Sequence, residues 1–284
     1  MTANNGYAHP EILVDTDWVK QNLGKPGIKL VEIDVDTKAY DAGHIPGAVG
    51  FNWQSQLQEQ VRRDILSRRE FEHLMSEAGI SPSDTVVVYG DNNNWFAAYG
   101  FWLFKLYGHK DVRLMNGGRV KWLNEADKEL VTERPKIVPT KYQASEPDTS
   151  LRALLPEVLK AQMDRRHNLV DVRSPDEFTG KVIAPPGMTE TAQRGGHIPG
   201  AKSVPWSTAV NPDGTFKPAD ELRAIYLKDK GVDPGKDTIA YCRIGERSSH
   251  TWVVLKYLLG LSNVKNYDGS WTEYGNVVGA PIEK

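Results

Sequence analysis

One short stretch of this 284-residue sequence carries the residue types that could do covalent chemistry. Residues 241–252 have the sequence YCRIGERSSHTW and contain Cys242, the only cysteine of the chain, with Arg243 and Arg247 one and five positions after it. A cysteine thiolate is a strong nucleophile, and nearby guanidinium groups favour it over the thiol. The stretch therefore predicts a reactive Cys242 whose pKa lies below that of a free thiol.

The cysteine lies between an apolar strand-like run and an apolar helix-like run. The pattern predicts a strand over 238–241, a turn over 242–247 and a helix that begins near Ser248 or Ser249, either of which suits an N-cap. Backbone N–H groups at such a turn can surround an anion, and Gly245 permits the backbone angles of a tight curl. We therefore expect an anion cradle around the sulfur.

The elements around this loop occur twice in the chain. Residues 42–53, AGHIPGAVGFNW, and residues 195–206, GGHIPGAKSVPW, share seven of twelve positions at an offset of 153 residues. Upstream of them, EIDVD and LVDVR align Asp34 with Asp171. Each copy alternates strand-like and helix-like runs, which is typical of parallel sheets with right-handed crossovers. The sequence predicts two tandem α/β domains, each a mainly parallel sheet flanked by helices.

The seam between the copies lies near residues 132–150, which contain three prolines and little apolar periodicity. The second copy also has an insertion around residues 181–194, whose Pro-Pro-Gly core predicts a surface loop. The predicted division of the chain is a first domain over 1–135, a linker over 136–150 and a second domain over 151–284.

The first copy lacks the features that make the loop of the second copy reactive. Gly90 stands at the position of Cys242, and Asp91 replaces Arg243 with the opposite charge. The first domain is therefore predicted to be inactive and the second catalytic. His44 and His197 occur in both copies, so we expect them to be structural turn residues rather than general bases.

Bulk composition excludes several classes of function. A single cysteine cannot form an internal disulfide, which favours a reducing cytoplasm. The net charge of −2 gives no electrostatic reason to expect nucleic acid or an anionic membrane as a partner. The seven scattered histidines predict no zinc site, and the N-terminal residues 1–15 lack a secretory pattern. No apolar run approaches the roughly 18–20 residues of a membrane span.

Together, these motifs resemble the rhodanese family, in its bacterial two-domain form of thiosulfate sulfurtransferase. The resemblance covers about residues 9–282, and it includes DVRS at 171–174 and YDGSWTEY at 267–274. It implies two tandem rhodanese-like domains. It also implies transfer of a sulfane sulfur from thiosulfate to cyanide or a thiol acceptor through a persulfide on Cys242, with no metal or organic cofactor.

The resemblance further implies a substrate-binding set in the second domain. Arg247 ends the loop and would bind the anionic donor, Arg243 would assist, and Arg173 joins them because the first copy has no arginine at that place. Some relatives carry an arginine where this chain has Glu177, and Arg173 or Arg194 would have to compensate for it. The residues predicted to bind substrate are Arg173, Arg243, Ile244, Gly245, Glu246 and Arg247.

Other functions stay open at this point. Relatives with a Gly-Ser pair after the cysteine prefer mercaptopyruvate, so the Cys-Arg pair favours thiosulfate over a 3-mercaptopyruvate sulfurtransferase. A persulfide carrier or redox sensor that acts on a protein partner also fits a single reactive thiol. A cysteine phosphatase requires the spacing Cys-x5-Arg, whereas this loop has Cys-x4-Arg.

Overall fold

The strand predicted over 238–241 and its counterpart in the first copy lie inside two separate parallel sheets. The strands of the first sheet are β1 (Leu13–Val14), β2 (Ile28–Asp34), β3 (Val49–Asn52), β4 (Thr85–Tyr89) and β5 (Val112–Met115). Those of the second are β6 (Asn168–Asp171), β7 (Lys202–Ser203), β8 (Thr238–Tyr241) and β9 (Val264–Tyr267). The spatial orders are β1-β5-β4-β2-β3 and β7-β6-β8-β9, so the second sheet repeats four strands of the first in the same arrangement.

Helices connect the strands of both sheets. Those of the first half are α1 (Thr16–Asn22), α2 (Lys38–Ala42), α3 (Trp53–Gln56), α4 (Arg68–Glu77), α5 (Trp95–Leu106) and α6 (Gly118–Asn124). Those of the second half are α7 (Leu155–Asp164), α8 (Pro175–Phe178), α9 (Ala219–Arg223), α10 (Glu246–Val253) and α11 (Ser270–Tyr274). The predicted class, parallel α/β with flanking helices, is confirmed.

This structure, a computed structural model, describes residues 5–125, 127–187 and 191–284. Part of the insertion predicted around 181–194, residues 188–190, and residues 1–4 of the N-terminal segment lie outside the described residues. Two units divide the chain: one holds Glu11–Asp148 and Asn211–Phe216, and the other holds residues 5–10, Thr149–Val210 and Lys217–Lys284. Within the described ranges, no helix is long and apolar enough to cross a membrane.

The strand register corrects one part of the repeat alignment. Asp171 in β6 pairs with Tyr241, the last residue of β8. In the first sheet, Glu32 in β2 pairs with Tyr89, the last residue of β4. The counterpart of Asp171 is therefore Glu32, and Asp34 lies two positions later, at the place of Arg173. The sequence alignment of Asp34 with Asp171 was wrong because identical residues need not occupy equivalent strand positions. Backbone hydrogen bonds between neighbouring strands determine the register.

The helix that follows the central strand is buried in each unit. Ten of the twelve residues of α5 are buried, in keeping with a sequence that is apolar nearly all round. All eight residues of α10 are buried, although this helix begins with Glu246 and Arg247. Buried charges require partners, since ionised groups cost several kcal/mol to remove from water. The start of α10 is therefore the place where the tertiary structure must supply opposite charges.

Candidate active site

Cys242 is the first residue after β8, at the carboxyl end of the second sheet, where α/β folds place their ligand sites. Its side chain is fully buried, at 0% exposure. The N–H of Gly245 donates to Sγ at 3.1 Å, and the Ser248 hydroxyl lies 3.6 Å from the sulfur. The thiol itself donates to Oε2 of Glu246 at 3.3 Å. The sulfur is thus held by contacts from its own loop and from the first turns of α10.

Gly245 determines how the loop turns into the helix. Its φ of +104° is one that side chains rarely adopt, and a Cβ there would lie 2.9 Å from Cα of Asp268. The helix begins immediately afterwards at Glu246, with Gly245 as its N-cap. The predicted start at Ser248 or Ser249 was wrong, because these hydroxyls lie inside the helix, 3.1 and 2.7 Å from the Gly245 carbonyl oxygen.

The electrostatics of the thiol differ from the sequence prediction. Burial raises the pKa of Cys242, and the carboxylate of Glu246 raises it further. The charge of Arg247 and hydrogen bonds from Ser248 lower the pKa but do not offset these effects. The expected depression of the pKa was therefore wrong, because desolvation disfavours the thiolate and the arginines do not act alone.

Two buried acids accompany the two arginines of the loop. Nη1 and Nη2 of Arg247 donate to the two carboxylate oxygens of Glu177 at 2.9 and 3.0 Å. Oε1 of Glu246 lies 3.6 Å from Nε of Arg247 and 3.9 Å from Nη2 of Arg243. None of the four side chains is more than 5% exposed. Their formal charges, two positive and two negative, cancel.

The pairing with Arg247 also determines the protonation of Glu177. Burial acts to raise the pKa of this carboxyl, but the hydrogen-bonded guanidinium of Arg247 and the hydrogen bonds from Ser174 together hold the pKa below its usual value. Glu177 is therefore ionised at neutral pH. Glu177, which stands where the sequence resemblance implies an arginine in some relatives, is thus a direct ionic partner of Arg247.

Arg173, also predicted to bind substrate, lies in a buried network at the end of β6. Its guanidinium binds the Asp171 carboxylate and the Gly196 carbonyl oxygen, at 2.6 and 2.7 Å from Nη2, and it lies 4.5 Å above the Trp271 ring. The guanidinium of Arg194 donates to main-chain carbonyl oxygens of residues 274–280. Both arginines thus have structural partners of their own in the second unit.

The first unit has no room for a nucleophile at the equivalent place. A Cβ on Gly90 would lie 2.2 Å from the carbonyl oxygen of Ile33 and 2.8 Å from Oδ1 of Asp34. The N–H of Gly90 donates to Oδ1 of Asn94, whose side chain also binds the end of β5. A cysteine could occupy this position only if the backbone moved.

The profile of the rhodanese-like domain matches residues 15–125 and 155–276. The chain belongs to the rhodanese family. The resemblance stated from the sequence is confirmed, as are its two tandem rhodanese-like domains.

Individual relatives agree with the rhodanese assignment. A provisionally named thiosulfate sulfurtransferase of Saccharopolyspora erythraea is 59% identical over 275 residues, which are 96% of each chain. Sulfur carrier protein TtuD of Thermus thermophilus is 55% identical over 98% of this chain and 99% of its own. The crystal structure of SseA from Escherichia coli, described as a 3-mercaptopyruvate sulfotransferase, matches with a TM-score of 0.77 and 26% identity, over 92% of this chain and 98% of its own.

His44 and His197 have equivalent surroundings in the two rhodanese-like units. Nδ1 of His44 lies 2.9 Å from the carbonyl oxygen of Tyr40, and its ring stacks on that residue at 3.8 Å. Nδ1 of His197 lies 2.8 Å from the carbonyl oxygen of Phe178 and stacks on it at 3.5 Å. The same geometry in a unit without a nucleophile supports the structural role predicted for both.

One residue that the sequence did not single out supports the rhodanese loop from a neighbouring strand. Asn266 is fully buried in β9, where its Oδ1 accepts from the Ser248 hydroxyl at 2.6 Å. Its Nδ2 donates to Oγ of Ser249 at 2.9 Å and to the Gly245 carbonyl oxygen at 3.3 Å. The same strand position in the first unit holds Leu114. The signal was present in the sequence as an amide at the position where the first copy has Leu114.

Ser270 is a second residue that the sequence did not single out. Its φ is +53°, close to the +56° of Gly118, which occupies the same place in the first unit. The Ser270 hydroxyl accepts from the Cys242 N–H at 3.0 Å and donates to the Tyr267 carbonyl oxygen at 2.7 Å. A non-glycine residue in this conformation costs of order 1–3 kcal/mol and is retained at functional sites.

Asp34 should make the stability of this rhodanese depend on pH. Burial and the neighbouring Asp91 and Glu32 carboxylates raise its pKa from 3.8 to about 9. The folded state therefore retains a proton that the unfolded chain releases above about pH 4. The resulting loss in the free energy of unfolding is absent at low pH. It grows as the pH rises, until the pH reaches the pKa of Asp34 in the folded state.

We therefore expect Asp34→Asn to stabilise the protein against urea at pH 8.5, with a gain that disappears at pH 4. Asparagine keeps an oxygen that can accept the Asp91 N–H, which Asp34 binds at 2.7 Å. Asp36→Asn is the control, since the Lys38 N–H lowers the pKa of Asp36 and this substitution should not stabilise. A gain of equal size at both pH values would contradict the titration of Asp34.

Proposed function

We propose that this rhodanese transfers a sulfane sulfur from thiosulfate to cyanide or a thiol acceptor through a persulfide on Cys242. The observation that carries the proposal is the contrast between the two units. One has a thiol at the carboxyl end of its central strand, with the Gly245 N–H aimed at the sulfur, and the other has Gly90, where no side chain fits. The relative of Saccharopolyspora erythraea, provisionally named a thiosulfate sulfurtransferase, supports thiosulfate as the donor.

The proposed reaction has two halves. The Cys242 thiolate attacks the outer sulfur of thiosulfate, the S–S bond of the donor breaks, and sulfite leaves with the bonding electron pair. The N–H of Gly245 and the charges of Arg243 and Arg247 stabilise the negative charge that spreads over sulfur and oxygen. An acceptor then attacks the outer sulfur of the persulfide, and the thiolate of Cys242 is restored. A covalent intermediate of this kind predicts ping-pong kinetics.

A second candidate function is that of a persulfide carrier for a protein acceptor. The cancellation of charge between the arginines of the loop and the acids Glu177 and Glu246 favours it, since a neutral loop has no net attraction for a small dianion. The relative named sulfur carrier protein TtuD supports the same candidate. The resemblance to SseA keeps 3-mercaptopyruvate among the donors to be tested.

The test is steady-state formation of thiocyanate from thiosulfate and cyanide by the wild type and by Cys242→Ser. We expect parallel double-reciprocal lines for the wild type and no turnover by the variant. Parallel assays with 3-mercaptopyruvate distinguish the donors. A folded wild type that turns over neither donor, but carries a stable persulfide on Cys242, would reject the proposal in favour of the carrier.

A further inference from the structure

A buried network of polar side chains joins β9 to the start of α10. Its members are Ser248, Ser249 and Asn266, each 0% exposed. Oδ1 of Asn266 accepts from the Ser248 hydroxyl at 2.6 Å, and its Nδ2 donates to Oγ of Ser249 at 2.9 Å. Burial of an amide costs free energy unless its hydrogen bonds are made. The Asn266 amide makes them with both hydroxyls and so fixes where the two oxygens lie.

The first unit builds the same elements without this network. The strand register places Leu114 at the position of Asn266. The same spacing places Phe96 and Ala97 at the positions of the two serines, and all three of these apolar residues are buried. A parallel sheet and its buried helix therefore form without the polar side chains. Between the two units the network accompanies the thiol, which ties it to the Cys242 loop rather than to the fold.

The single hydroxyl proton of Ser248 has three acceptors within reach. The oxygen lies 2.6 Å from Oδ1 of Asn266, 3.1 Å from the Gly245 carbonyl oxygen and 3.6 Å from Sγ of Cys242. A hydroxyl has one proton to donate, and the shortest contact assigns it to Asn266. The Gly245 carbonyl oxygen is already bound by the Ser249 hydroxyl at 2.7 Å. Asn266 thus holds the Ser248 oxygen beside the sulfur.

We propose that Asn266 is a positioning residue for sulfur transfer, which acts by holding the Ser248 hydroxyl within reach of the Cys242 sulfur. The proposal rests on the proposed sulfur transfer through a persulfide on Cys242 and extends it to β9. Ser248 is the group that contacts the reacting atom, and Asn266 acts through Ser248.

The hydroxyl is needed when the persulfide is discharged. The acceptor bonds to the outer sulfur, the S–S bond breaks, and its electron pair returns to Sγ of Cys242. Negative charge then appears on an atom that has the Gly245 N–H as a donor at 3.1 Å. The Ser248 hydroxyl becomes a second donor when its O–H bond turns from the amide to the sulfur, and it keeps its proton. Donors aimed at developing charge lower the barrier. Because only the hydrogen moves, the oxygen must already be in place.

The test is a single turnover of the persulfide. The wild type and its variants are loaded with thiosulfate, freed of the donor, assayed for bound sulfur by mass spectrometry and mixed rapidly with cyanide. Thiocyanate formed per loaded site gives the rate constant of discharge. We expect Ser248→Ala and Asn266→Leu each to lower it by about 10-fold, the lower range for losing a hydrogen bond to a charged atom. A wild-type rate in either variant would overturn the proposal.

A double variant decides whether Asn266 acts through Ser248. Asn266→Leu combined with Ser248→Ala should be no slower than either single variant, because the same hydrogen bond is lost once. Losses that multiply to about 100-fold would overturn the proposal, since independent effects add as free energies. If Asn266→Leu does not fold, Asn266→Ser replaces it. The shorter serine side chain cannot reach the Ser248 oxygen and should show the same loss.

Asn168→Leu is the matched control in the same unit. Asn168 is 3% exposed and begins β6, at the end of the sheet opposite the thiol. Its Nδ2 donates to the Asp233 carbonyl oxygen at 2.8 Å and to Oγ1 of Thr238 at 3.0 Å. This substitution should lower the free energy of unfolding, as Asn266→Leu does, but leave the discharge rate per loaded site unchanged. An equal loss of rate in both would overturn the proposal, because general loosening of the unit would then explain it.

Loading with a second donor separates failure of the thiosulfate assignment from failure of the role of Asn266. If thiosulfate does not load the wild type, the thiosulfate assignment fails. The same comparison of discharge rates is then made on persulfide formed with inorganic polysulfide, and it decides the role of Asn266. If polysulfide leaves no sulfur on Cys242 either, both proposals are overturned.

Discussion

Replacing Arg247 with methionine should lower the free energy of unfolding by about 3–5 kcal/mol, the usual cost of breaking a buried ion pair from one side. The reason is Glu177, which is 0% exposed and would lose both N–H donors of the guanidinium. The same substitution should abolish measurable transfer from thiosulfate, because the positive charge beside Cys242 falls by one and leaves the loop net negative. Urea denaturation and thiocyanate formation measure the two effects.

A double variant separates the two consequences. Arg247→Met combined with Glu177→Met should recover most of the lost stability, since apolar side chains of similar volume often replace a buried ion pair at little or no cost. Activity should stay absent, because the arginine is still missing. If activity returned together with stability, the role of Arg247 would be to neutralise Glu177 rather than to act on the donor.

Gly245→Ala should lower kcat by about 100-fold or more, the effect expected when a catalytic group is displaced by about 1 Å. The added Cβ would lie 2.9 Å from Cα of Asp268, which is backbone and cannot rotate away, and the φ of +104° disfavours any side chain. The loop must therefore shift, and with it the N–H that donates to the Cys242 sulfur. Steady-state transfer and the rate of iodoacetamide alkylation measure the displacement.

Gly200→Ala is the matched control in the same unit. Gly200 also has a positive φ, +79°, but an added Cβ there meets nothing within 4 Å. Gly200→Ala should lower the free energy of unfolding by about 1–2 kcal/mol, because alanine disfavours the positive φ. It should leave kcat unchanged. If both variants lost activity equally, general destabilisation rather than displacement of the loop would explain the effect of Gly245→Ala.

Local features of the sequence were enough to predict the fold class and the position of Cys242 at the end of a strand. Apolar runs of strand and helix length, repeated at nearly constant spacing, predicted two parallel α/β units, because periodicity reflects which face of an element is buried. The position of Cys242 after a central strand followed from the same pattern. The contrast with Gly90 was visible by comparing the copies, and Asn266 could have been found in the same way.

The tertiary structure alone decided the electrostatics of the site. Arg247 and Glu177 are 70 positions apart, and nothing in their local sequences predicts that they form a bidentate pair. The pKa of Cys242 depends on burial and on the Glu246 carboxylate, which together outweigh the charge of Arg247 and the hydrogen bonds from Ser248. The sequence by itself determined that Cys242 lies in one loop with Arg243, Gly245, Glu246 and Arg247. Folding determined whether the pKa of Cys242 is raised or lowered, because desolvation and partners distant in the sequence act only in the folded chain.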